Sequence, residues 1–155
     1  MDGRSTRAGR WRRPVYFVLM LAAATVAASC YSSNYRSETE ASVSLIVEQS
    51  DKLADYCRAG FIIDNRPLSS EEMGEFYYAL QKARAFEQMT ARRDPSNASR
   101  RDFAQLVDAY EQFVRDADRY RLSSARPPGG LAALVEEHKT VERRARAVRD
   151  ALARD

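Results

Sequence analysis

Cysteine is nearly absent, with two in 155 residues, and lysine, histidine and tryptophan are as scarce, at three, one and one. Two cysteines cannot build the dense disulfide framework of a small secreted fold. A single histidine leaves no paired-histidine zinc spacing and removes the commonest general base from all positions but one. No Gly-x-x-x-x-Gly-Lys loop, Gly-x-Ser-x-Gly elbow or calcium loop occurs either. The sequence therefore carries no catalytic constellation, and we expect no catalytic residues, no metal ligand set and no cofactor. What is present is 45% hydrophobic and 30% charged residues, too apolar for a disordered tail and suited to one ordinary globular domain.

The formal charge of +3 is unevenly placed. Arg4, Arg7, Arg10, Arg12 and Arg13 face only Asp2 within residues 1–29, and the remaining chain has 20 bases against 21 acids. A nucleic-acid binder needs its basic surface on the folded domain, so no nucleic-acid partner is expected. Behind the arginines, Val15 to Ser29 is fifteen residues without a charge. That order of basic arm, apolar run and small residues is an export signal, and the run is shorter than the roughly 20 residues of a spanning helix.

The residues Val26-Ala27-Ala28-Ser29-Cys30 resemble the lipobox of bacterial lipoproteins, with Ala27 standing where that family most often has leucine. The resemblance implies that Cys30 receives a diacylglyceryl group on sulfur, that the peptide is cut before it, and that the new amino group is acylated. It also implies a bilayer partner through the acylated cysteine. The location would be the periplasmic face of the outer membrane in a Gram-negative source, because Tyr31 is not the inner-membrane retention aspartate. In a Gram-positive source it would be the outer face of the cell membrane. An uncleaved anchor is the other reading, since the charge-free run counted from Pro14 to Tyr35 is 22 residues. With Cys30 acylated, Cys57 is the one remaining thiol, and its helical spacing predicts a buried, inert group.

The expected organisation is a signal peptide over 1–29, a lipidated cysteine and polar tether over 30–37, and a helical domain over 38–155. Four amphipathic patterns fill that domain. Val43, Ile46, Ser50, Leu53 and Cys57 line one face of a helix from about Ser37 to Ala59, closed by Gly60 as a left-handed cap. After a turn at Asp64-Asn65-Arg66-Pro67, Ser69 and Glu72 form a capping box, flanked by a Leu68–Met73 staple. Met73, Phe76, Tyr77, Leu80 and Ala83 follow as a stripe. Phe86 and Met89 lie off it, either widening the core face or forming an exposed apolar patch, and we expect the wider core.

Asp94-Pro95-Ser96-Asn97 breaks this helix, and Ser99 with Asp102 offers the next start. The third pattern is Phe103, Leu106, Val107, Tyr110, Phe113, Val114, Ala117 and Tyr120. The fourth, beyond Pro127-Pro128-Gly129-Gly130, is Leu131, Leu134, Val135, His138, Val141, Ala145, Val148 and Leu152. Short connections favour antiparallel neighbours, so the fold class expected is all-α, an up-down-up-down four-helix bundle.

In that topology residues 31–48, 82–108 and 142–155 share one end, with twelve bases and ten acids, while the opposite end has a formal charge of −3. Arg92, Arg93, Arg100, Arg101 and Arg144 are the residues placed to touch anionic headgroups. Against that stands the ordinary solvated helix face, with arginines complementing a helix C-terminus and i,i+4 pairs such as Glu142 with Arg146. His138 reads as a core or boundary histidine bonded to a tyrosine, because a catalytic or ligand role needs partners and its own helix face offers none. Haem held by His138 and a methionine such as Met73 is the alternative, without any Cys-x-x-Cys-His motif. The functional expectation is an envelope lipoprotein acting as a non-catalytic interaction or structural module with a protein partner and no identified substrate. The alternatives are a small-molecule or haem-binding bundle and a helical subunit of an envelope complex.

Overall fold

A computed structural model describes residues 12–91 and 97–154, with side chains over 34–90 and 97–154. The elements in chain order are α1 (Arg12–Arg58), β1 (Ile62–Ile63), β2 (Arg66–Pro67), α2 (Ser70–Ala91), α3 (Ala98–Leu122) and α4 (Gly130–Arg154). The chain divides into two compact units, Met1–Glu38 and Thr39–Asp155. Helix α1 begins well before Ser37, and residues 31–37, read from sequence as a tether, are helical. No glycine or proline lies between Pro14 and Gly60, so no backbone feature interrupts the helix there. Among the described residues no helix is long and apolar enough to cross a membrane.

Unit Thr39–Asp155 is the four-helix bundle that the stripes predict. Lys52 of α1 bonds Glu75 of α2 at 2.6 Å, and the Tyr56 and Phe76 rings meet edge to face. Between α2 and α3, Tyr77 meets Asp118, Arg84 meets Asp108 and Glu111, and Phe86 meets Phe103, so one helix ascends as the other descends. Phe113 against His138 and Gln105 against Arg144 make α3 and α4 antiparallel in the same way. Asp51 to His138 joins α1 to α4. Each helix thus packs on its sequence neighbours, and α4 closes back on α1.

The core follows the periodicity. Val43, Ile46, Leu53 and Cys57 of α1 are buried, as are Met73, Phe76, Leu80 and Ala83 of α2. So are Phe103, Leu106, Val107, Tyr110, Phe113, Val114 and Ala117 of α3, and Leu134, Val141, Ala145, Val148 and Leu152 of α4. Ser50, buried on the same stripe, returns its hydroxyl to Val47 O at 2.9 Å, which satisfies it within its own helix. The Tyr110 hydroxyl donates to Phe76 O at 3.3 Å, and burial pushes its pKa up. Expectation and structure part at the stripe margins. Phe86 widens the core against Phe103, whereas Met89 is 51% exposed and Leu131 36%.

The caps at the start of α2 form as read. Glu72 N donates to Ser69 Oγ at 3.2 Å, and Ser69 N donates to Glu72 Oε2 at 2.8 Å. At α3 the cap is Asn97 rather than Ser99: the Asn97 side chain accepts from Arg100 N at 3.2 Å, and Ser99 is buried inside the first turn with its hydroxyl on Asn97 Oδ1. Asp94, Pro95 and Ser96 lie outside the described residues.

Candidate functional site

Of the residues singled out from sequence, Cys30 lies in the stretch of α1 whose side chains are outside the described residues, and Arg92 and Arg93 are also outside them. Arg101 is exposed and Arg100 half-buried in the first turn of α3, whereas Arg144 is exposed near the middle of α4. Arg144 bonds Gln105 Oε1. The richest charge network nearby is centred on Arg84, which engages Glu87, Asp108 and Glu111 and whose pKa is raised by them. Glu142 and Arg146 do not form the ion pair suggested by their spacing; Arg143 instead donates to Thr140 Oγ1 at 2.9 Å.

Cys57 is buried, 2% exposed, and burial pushes its thiol up to about 12, so it is a neutral, unreactive group at physiological pH. Its burial removes it from acylation and disulfide exchange.

His138 has a different partner from the tyrosine expected. Its Nε2 lies 2.8 Å from Asp51 Oδ1, across the seam between α4 and α1. The imidazole is buried, its ring tilted against Phe113 at 5.9 Å between centroids, while Asp51 is exposed. Glu142, one turn on from His138 and half-buried, completes a group of three whose ligand atoms all lie within 4.8 Å of one another. His138 thus has partners, Asp51 across the seam and Glu142 on its own face, where none was expected. Glu142 was visible at i+4, where helix geometry stacks side chains. Asp51 was not, because it arrives from another helix and only the packing register selects it.

One residue earlier on α4, Glu137 turns toward α3. It lines a cleft of about 240 Å³ with Asp116, Tyr120, Pro127 and Gly130. Its Oε2 is buried without a hydrogen-bond partner among the described residues. Burial, helped by the Asp116 carboxylate, raises its pKa to about 7. A proton on Glu137 is held there because the pair cannot both ionise cheaply in that setting.

The chain matches no protein-family model, no curated protein and no solved structure.

Proposed function

We propose that this chain is an envelope lipoprotein: a helical bundle tethered to a bilayer through acyl chains on Cys30, serving as a non-catalytic interaction or structural module. The observation that carries the reading is the order of five arginines, a fifteen-residue charge-free run and the small residues ending at Cys30. Multiple acyl chains hold firmly where one would not, at about 0.8 kcal/mol for each buried methylene. The four-helix fold supports the reading as a self-contained body, its apolar stripes facing one another.

Arg100, Arg101 and Arg144, with Arg92 and Arg93, are the side chains we assign to anionic headgroups. Metabolic labelling with an alkynyl fatty acid tests the anchor. Wild-type chain should take the label and partition with membranes, and Cys30→Ser should lose the label and keep its leader. A labelled Cys30→Ser chain, or an unlabelled wild type with residues 1–29 retained, would exclude the proposal.

A further inference from the structure

We infer that Asp51, His138 and Glu142 bind one divalent transition-metal ion of the zinc class, linking α1 to α4. The donor set is one imidazole nitrogen and two carboxylates, the borderline mixture that zinc accepts. Calcium and magnesium are hard cations that take all-oxygen coordination, so a site fixed by an imidazole nitrogen suits neither as well as zinc. His138 fixes the site: it is buried, clamped on Phe113, and its Nε2 points out of the core at Asp51. The two carboxylates are the adjustable members, Asp51 exposed and Glu142 half-buried.

The required movement is small. A tetrahedral zinc with bonds of about 2.0 Å keeps its ligand atoms about 3.3 Å apart. The Asp51–His138 distance of 2.8 Å must open by roughly half an ångström, and separations reaching no further than 4.8 Å must close. Carboxylate rotamers on two packed helices can supply both changes without moving the imidazole. Zinc on Nε2 requires the neutral ring with its hydrogen on Nδ1, so the Nε2 proton shared with Oδ1 passes to water, and a ring that had no hydrogen on Nδ1 takes one back there from water. Three protein ligands leave a fourth position for water on the solvent side. Because the ligands come from the first and last helices, binding also stabilises the bundle, by an amount that grows with the logarithm of metal concentration.

The test uses the full chain in detergent, with Cys30 alkylated to remove its thiol and bound metal stripped by chelator. Titration with Zn²⁺ should give one ion per chain, and Co²⁺ should give visible ligand-field absorption in the same stoichiometry. Asp51→Asn and Glu142→Gln, both at positions outside the core, should each weaken Zn²⁺ by at least about tenfold while leaving the metal-free melting temperature close to wild type. Zn²⁺ should raise the melting temperature of wild type but not of His138→Gln. Absence of Zn²⁺ binding, affinity unchanged in both carboxylate variants, or tighter binding of Ca²⁺ than of Zn²⁺ would each overturn the inference, leaving the Asp51–His138 contact as a hydrogen bond between helices.

Discussion

Two connections lie at the same end of the bundle, one joining α1 to α2 and the other α3 to α4, and they reverse the chain by different chemistry. The first is held by bonds at nearly every residue. Gly60, at φ +64°, donates to Cys57 O, and Phe61 N reaches back to Tyr56 O at 2.8 Å, a Schellman closure of α1. Asp64 and Asn65, both at positive φ, form the two-residue turn between β1 and β2, the conformation that matches strand twist. Arg66 then grips Glu72 through both carboxylate oxygens, and Arg121 of α3 donates to Leu68 O at 3.0 Å. The second connection, residues 123–129, has Ser123 N on Tyr120 O and Gly130 N on Pro127 O, and the cleft containing Glu137 beneath it. A dense bond network fixes one reversal; close packing of Tyr120 on Gly130 fixes the other.

Phe61 is where the two meet, and its loss should be the largest effect. It is buried, lies 6.0 Å from the Tyr120 ring, and sits at φ +61°, a conformation costly for a bulky residue and tolerated because the ring fills the core. Phe61→Ala should destabilise the bundle by about 3 kcal/mol, as for other fully buried phenylalanines. Chemical denaturation would measure it. A loss below about 1 kcal/mol would show that the hydrogen bonds alone hold the first connection.

Gly130→Ala comes next and attacks the second connection alone. A Cβ at Gly130 would lie 2.7 Å from Tyr120 Cδ2 and closer still to Cε2, so the ring must leave its place between Gly130 and Phe61. Overpacking of that kind costs about 2 kcal/mol. The same change at Gly74, where an added Cβ meets nothing, should be neutral or slightly stabilising through helix propensity. Equal melting temperatures for the two alanine variants would remove the packing argument.

How far these differences can be read from sequence depends on whether they are local. Gly60, the Ser69–Glu72 box and the four apolar stripes are patterns within one element, and each appears where its spacing puts it, apart from Leu131 at the margin of the fourth stripe. The Asn97 cap was displaced by two residues because Ser99, although a good capping residue, is drawn into the core instead. Asp51 beside His138 and Glu137 beside Asp116 are pairings between helices, set by rotation and axial register, which no single stripe encodes. Glu142 lies at i+4 from His138 on one helix, so its place beside the imidazole is legible in the sequence, although the expectation assigned it to Arg146 instead.

Ser69→Ala removes the hydroxyl that accepts from Glu72 N and leaves the carboxylate to hold the cap alone. The expected loss is between about 1 and 2 kcal/mol, within the range for helix N-caps. The urea midpoint reads it directly. Because Arg66 still clamps Glu72, the pH dependence of the first connection should survive this substitution, and its disappearance would show that the serine and not the arginine holds the carboxylate.

Glu72 and Glu137 turn the comparison of connections into opposite responses to pH. The Arg66 guanidinium, with Ser69 assisting, holds Glu72 at about 2, below its ordinary 4.5, so its stabilisation is complete above pH 4.5 and is lost as pH falls through 2. Burial and Asp116 hold Glu137 at about 7, above 4.5, so its contribution is complete below pH 4.5 and is lost as pH rises through 7. Glu137→Gln keeps the neutral shape at every pH. In the presence of chelator it should match wild type in acid and exceed it near pH 8 by about 1 kcal/mol, the figure left after solvent screening of a partly exposed group. Glu72→Gln should instead fall below wild type at neutral pH and converge with it in strong acid. Urea midpoints taken from acid to mild base would display two difference curves of opposite sign; a Glu137→Gln chain no more stable than wild type at the alkaline end would mean that solvent, not burial, sets the charge of that cleft.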